Sequence, residues 1–308
     1  MDMVICRLRQ PEFEIMKKTA ISLALCLFIA APVQAQVKDG VFEPGLISNG
    51  GVFGLTLSPD GKHALYVHSG GRREALTIME ARMVGGKWQA PTIAPFSGNA
   101  AWKDIDPVFT PDGKTIIYQS NRAVPGKPER TGFDIWSVSV TAAGWGQPTH
   151  LGNVINTDLS ESSASVARNG NIYFQKPTSS DTAHQDLWVS RFSGGQYGVP
   201  ENLGAPVNTS QFRESNPFVA PDESYLIYFS DDTGRAFDVD LMISFRGKDG
   251  SWGKPKKLGA PFISDGAEFT PWVHDGRLYF TRQVKLEGRS TMTEDIMSFP
   301  FDPAKYAD

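Results

Sequence analysis

The chain is short of cysteine and has no excess of positive charge. Only Cys6 and Cys26 occur, both near the N-terminus, so the rest of the chain must hold together without disulfides and rely on core burial and closure of the fold. Thirty Lys and Arg against 34 Asp and Glu give a net charge of −4. There is therefore no basic field to draw nucleic acid or an anionic membrane surface. Helical periodicity is missing beyond the N-terminal 35 residues, and so is any Pro/Gly/Ser-rich linker that would separate two globular halves. The five histidines (His63, His68, His150, His184, His274) show no HExxH spacing, and no GxSxG, GxGxxG or GxxxxGK[ST] occurs. These absences exclude the common zinc, α/β-hydrolase and nucleotide-binding designs. No metal or other cofactor is expected: calcium stays open, but no DxDxDG-type loop supports it.

The one apolar run is near the N-terminus. From Met16 the chain reads "MKKTAISLALCLFIAAPVQAQ", with Lys17 and Lys18 before an apolar stretch and with Val33 and Ala35 placed for cleavage before Gln36. Residues 1–35 are read as a signal peptide, with translation starting at Met16, because Glu12 and Glu14 suit a leader poorly. The run is shorter than the roughly 20 residues of a bilayer span, and Leu25 before Cys26 is too large for a lipidation site. The expectation is a periplasmic or secreted protein without a membrane span after cleavage, in which residues 36–308 form one domain.

What the chain has in abundance is repetition. Turns such as "SPDG", "TPDG" and "APDE" put Gly61, Gly113, Gly170, Glu223 and Gly276 in register, 52, 57, 53 and 53 residues apart. A period of this length with several short strands per unit reads as a propeller blade. Strand one enters the turn and strand two leaves it ("ALYV", "TIIYQ", "NIYFQ", "YLIYFS", "RLYFT"). Strand three follows ("ALTIMEARM", "FDIWSVSV", "QDLWVSRF", "VDLMISF", "EDIMSFPF"), and strand four has an aromatic three residues before a proline ("KWQAP", "GWGQP", "QYGVP", "SWGKP"). The fifth set lacks strand four, and "DGVFEPGL" near the N-terminus supplies it, with Val41 standing before Pro44 as Trp145 stands before Pro148. The predicted fold is all-β: a five-bladed propeller of four-stranded blades, closed by the N-terminal strand. Six blades, one of them degenerate, is the alternative.

"DIDPVFTPDGKTIIYQSNR", "GFDIWSVSV" and "GWGQPTHLG" resemble the TolB-like, WD-repeat-like propeller repeats of bacterial envelope proteins. That resemblance implies the same fold and, for function, a non-catalytic binding or scaffolding module for an envelope protein or a cell-surface glycan.

The residues themselves offer two sets of candidates. Asp104, Glu161, Glu214 and Glu268 enter strand one of blades two to five, where blade one has Val52; Asp106, Asp158 and Asp265 lie close by. As a ring at the channel mouth they would serve a carbohydrate-active enzyme, hydrolase or lyase, which is the alternative function. Repetition in four blades argues instead for one structural job done four times, because catalysis needs groups whose environments differ. Asp134, Asp186, Asp240 and Asp295 open strand three in the same blades, with Ala75 in blade one, and are read as structural. The loops after strand two vary more, as ligand-binding loops do. From these loops and the chain beside them come the ligand-binding candidates Asn121, Arg122, Lys176, Arg213, Asp231 and Arg282, with Arg72, Arg73 and Arg235 nearby. Such a mixture of arginine forks and carboxylates suits a sugar acid or a polar peptide.

Overall fold

The computed structural model describes residues 39–124, 126–127, 130–178, 184–232, 238–285 and 292–307. The leader, the start at Met16 and Arg235 lie outside them. Five antiparallel sheets of four or five strands follow one another along the chain, with a two-stranded ribbon, Phe192–Ser193 against Gln196–Tyr197, beside the third. Their innermost strands are Val52–Leu57, Asp104–Phe109, Ser162–Val166, Glu214–Val219 and Ala267–His274. Each is followed by its neighbour in order outward, so the molecule is a five-bladed propeller. The last sheet is completed by Gly40–Val41, which pairs with Met292–Pro300 and closes the ring.

Local chemistry sets the hairpins. The Asp60 carboxylate accepts from the Lys62 N–H and the Ser58 hydroxyl, and Asp112 does the same for Lys114 and Thr110. Gly61, Gly113, Gly170, Glu223 and Gly276 all follow in the left-handed region, with φ of 67°, 69°, 89°, 59° and 68°. The turns also pack on one another around the ring: a Cβ on Gly113 would meet Pro59 at 2.9 Å, and one on Gly61 would meet His274 at 2.9 Å. Glycine is thus needed here both for its backbone and for its size.

Two details differ from the sequence reading. In blades one to three strand four is a pair of two-residue pieces around the proline, which has no N–H to give to the ladder. In blade one these are Lys87–Trp88 and Thr92–Ile93, on either side of Pro91; in blade two, Gly144–Trp145 and Thr149–His150 flank Pro148. The closing strand matches the second piece, not the first. Val41 pairs with Met297 as His150 pairs with Trp136, so Val41 stands where His150 does and not where Trp145 does. In blade one the partner of His68 is Thr77, so Thr77 and not Ala75 holds the place of the strand-three aspartates.

Those aspartates tie strand three to strand four. Asp134 receives His150 at 2.8 Å, Asp186 receives Asn202 at 2.7 Å, and Asp240 receives Lys257 at 2.8 Å. The strand-four aromatics face the preceding blade: Trp145 donates to Glu80 at 3.0 Å, and Trp252 packs edge-on to Tyr173. The inner strands are largely buried, and the apolar core runs between blades. Among the described residues no helix is long and apolar enough to cross a membrane.

Candidate functional site

Every innermost strand carries the same irregularity. The register slips between Phe53 and Thr56, Ile105 and Val108, Ser162 and Ser165, Ser215 and Phe218, and Phe269 and Trp272. At each slip two residues oppose one on the partner strand, which is a β-bulge. The first bulged residue has positive φ in all five: Gly54, Asp106, Ser163, Asn216 and Thr270, at 67°, 46°, 49°, 51° and 50°. All five line a small cavity of about 30 Å³ at the axis, on the side that Trp272 borders. Four of them, all but Gly54, also line a cavity of about 520 Å³ that forms the funnel.

Asp106 lies where the two cavities meet. Its Oδ2 accepts from Ser163 at 2.6 Å and from Asn216 at 3.5 Å, and Asn216 also donates to the Ser163 hydroxyl at 2.5 Å. Its Oδ1 is buried with no hydrogen-bond partner among the described residues and faces Gly54, whose Cβ, if it had one, would be 3.3 Å away. Burial pushes the Asp106 carboxyl above its usual range, against the hydrogen bond from Ser163 and the charge of Arg73.

The funnel wall brings two guanidinium groups to the same cavity. Arg73 lies over the Phe53 and Phe269 rings, at 4.6 and 5.4 Å, and pairs with Glu294 from the last blade at 2.9 Å through Nε. Glu294 is otherwise filled by Gln283 at 2.6 Å and Ser69 at 2.8 Å. Arg213 lies over Phe229 at 5.2 Å, with Asp231 3.8 Å from its Nε. That Nε has no hydrogen bond among the described residues.

The four repeated carboxylates are elsewhere. Asp104, Glu161, Glu214 and Glu268 are at most 1% exposed, and none lines the funnel cavity. Each is held by the loop that brings the chain in from the preceding blade: Ser97 to Asp104, Thr157 to Glu161, Thr209 to Glu214 and Ser264 to Glu268. Asn156 and Asn208 in those loops grip the strand-three backbone at Ile135 and Leu187 through both donor and acceptor. Cations complete the sites: Arg122 reaches Asp104 at 2.9 Å, Arg282 reaches Glu268 at 2.7 Å, and Arg130 lies between Asp134 and Glu161. Burial raises Glu161 and Glu268 against these bonds. It pushes Glu214 to about 7, with Thr209 opposing it and Asp186 and Asp231 adding to it.

Of the six ligand-binding candidates, the structure brings only Arg213 to the funnel. Arg122 is a strut enclosed by Trp102, Tyr118 and Trp136, Arg282 is bound to Glu268 and the Pro261 carbonyl, and Lys176 lies over Trp188. Asn121 accepts from the Lys103 N–H, and Asp231 accepts from the Arg213 N–H. The bulge positions went unnoticed in the sequence apart from Asp106. Their signal is there nonetheless: two residues after each strand-one carboxylate stands a small polar residue, followed by proline in Asp106–Pro107, Asn216–Pro217 and Thr270–Pro271. Among the described residues no group of three or more His, Cys, Asp or Glu is placed to hold a metal ion.

No family model matches the chain, and no curated protein matches it by sequence. Solved structures do match in fold. An endo-arabinase from Bacteroides thetaiotaomicron is 11% identical with a TM-score of 0.52, over 84% of this chain and 99% of that one. The α-L-arabinofuranosidase PaAbf62A from Podospora anserina is 11% identical at 0.53, over 83% and 95%. An α-L-arabinofuranosidase from Lactobacillus brevis is 12% identical at 0.54, over 84% and 93%. These likenesses correct the resemblance to TolB-like, WD-repeat-like envelope proteins: the blades follow the five-bladed plan of these structures. The non-catalytic scaffolding module, with an envelope protein as its partner, rested on that resemblance and falls with it.

Proposed function

We propose that the protein is an exported glycan-cleaving enzyme whose substrate enters the funnel and whose proton-transfer group is Asp106. One observation carries this: Asp106 is the single carboxylate on the described lining of the cavity, with Oδ2 held by Ser163 and Asn216 and Oδ1 buried beside Gly54 without a hydrogen-bond partner among the described residues. A carboxyl whose pKa burial has raised toward the working pH can both give and take a proton, which is what cleavage of a glycosidic bond requires. The fold adds support, since five-bladed propellers of this plan include proteins whose names are those of glycan-cleaving enzymes. The leader read in residues 1–35 would deliver such an enzyme to the substrate outside the cytoplasm.

Asp106→Asn tests it. Asparagine tolerates a left-handed backbone and keeps an acceptor for Ser163, so the melting temperature should hold. Release of reducing ends from a panel of plant and bacterial polysaccharides should fall by about 100-fold or more. Unchanged release by the variant would sink the assignment.

A further inference from the structure

The funnel has an unusual charge pattern for a site that would hold a neutral sugar. The charged side chains on its described lining are Arg73, Arg213 and Asp106. Both guanidinium groups lie against phenylalanine rings, Arg73 on Phe53 and Phe269 and Arg213 on Phe229. Their flat faces are therefore covered, while their side chains remain 46% and 39% exposed. Arg73 is committed to Glu294 through Nε and Nη2. Arg213 is paired more loosely: its Nε stands 3.8 Å from Asp231, an ion pair beyond hydrogen-bonding distance, and has no hydrogen bond among the described residues.

Hydrolysis of a glycosidic bond ordinarily uses two carboxylates that flank it, about 5 to 9.5 Å apart. The described lining supplies one. Glu294 is occupied by Arg73, Gln283 and Ser69, so its part is to hold Arg73 against the wall. Cleavage by elimination from a uronic acid has a different requirement: one group to move a proton and a cation to neutralise the sugar carboxylate. The funnel holds both.

We infer that the substrate is a uronic-acid-containing glycan, bound through its carboxylate at Arg213, and that it is cleaved by β-elimination with Asp106 carrying the proton. This rests on the enzyme reading given above. In the step, the C5–H bond breaks and its proton passes to the Asp106 carboxylate while the sugar carboxylate takes up charge against Arg213. The C4–O bond then breaks, C4=C5 forms, and the departing glycosidic oxygen receives the proton from Asp106. No water is consumed, and nothing is oxidised or reduced overall. Burial strengthens Asp106 as a base, and its hydrogen bond from Ser163 holds Oδ2 in place.

The experiment uses oligogalacturonides and glucuronate-containing oligosaccharides, each beside its carboxyl-reduced counterpart. Calorimetry with the Asp106→Asn protein should show the acidic form binding roughly 10- to 100-fold more tightly, the effect of a charge-assisted hydrogen-bonded pair. Arg213→Gln should remove that preference without weakening the reduced sugar, and Arg213→Lys should restore part of it. Wild-type protein should yield products with the ultraviolet absorbance of a C4=C5 double bond and masses that sum to the parent. Equal affinity for acidic and reduced sugars in the Asp106→Asn protein, whose Arg213 is intact, overturns the substrate class. Products that have gained water overturn elimination and leave the enzyme reading standing. Tight binding of the acidic sugars with no cleavage of any glycan overturns elimination and the enzyme reading together, leaving the anion preference.

Discussion

At the scale of single residues, Glu214 and Glu268 occupy the same place in neighbouring blades and behave differently. Both accept from a hydroxyl of the incoming loop, Thr209 or Ser264, but Glu268 also has Arg282 at 2.7 Å. Burial pushes Glu214 up to about 7 from 4.5, with the charges of Asp186 and Asp231 adding to it against the bonds from Thr209. A raised carboxyl pKa means the folded state holds the proton more tightly than the unfolded state. Its contribution to stability is therefore full below about pH 4.5 and is lost as the pH rises to about 7. Glu214→Gln, which cannot ionise, should lose no stability over that interval. Its melting temperature relative to wild type should rise between about pH 5 and pH 8; a constant difference would show that Glu214 is not titrating there. The sequence made the ring of four carboxylates visible through repetition and hinted at its structural use. It could not show which cation serves which carboxylate, because Arg122 and Arg282 reach theirs from different positions on strand two or just after it.

The hairpin turns show what repetition does and does not reveal about an element. Four of the five residues aligned on the turn are glycine, and the left-handed backbone that the alignment requires is found at all five. Glu223, the exception, uses its side chain across the blade boundary. It accepts from Asn171 at 2.8 Å, Tyr173 at 2.7 Å and Asn169 at 3.0 Å, and from Arg246 at 2.7 Å. Burial opposes ionisation, but these bonds and the Arg246 charge outweigh it and hold the carboxyl below its usual range. Glu223→Ala should cost about 2 to 4 kcal/mol in denaturant unfolding, since Arg246 and the Tyr173 hydroxyl lose their shared acceptor. Glu223→Gly separates the two influences at this position. It relieves the backbone and removes the bonds, so a net gain in stability would mean that turn strain outweighs the cross-blade network. Strand four was harder to read. Its aromatic and proline marked the place, and the proline's missing N–H accounts for the break, but which piece pairs with which residue of strand three no local pattern encodes.

For the whole molecule, the decisive contact is the one that makes a ring from an open row of sheets. Counting strands located the missing one near the N-terminus, yet aligning Val41 with Trp145 put it five residues out of register, because both pieces of strand four look alike in a short segment. Next to the closure lies Phe42, 1% exposed, with its ring 5.4 Å from Tyr279 in blade five and 6.0 Å from Trp88 in blade one. Phe42→Ala should therefore cost about 3 to 5 kcal/mol in denaturant unfolding, as for other large buried aromatics. A loss below about 1 kcal/mol would mean that the ring holds without this seam.

The bulges on the inner strands limit what the axis can be made of. Each places one residue at the lumen in a left-handed backbone, where glycine, asparagine and aspartate fit with least strain and long or branched side chains fit poorly. Gly54, Asp106, Ser163, Asn216 and Thr270 follow that restriction, with Thr270 its most expensive member. The centre of the disc is thus written in a five-letter word drawn from a small alphabet. Branched and bulky residues are disfavoured there, and aspartate is the one acid it readily spells.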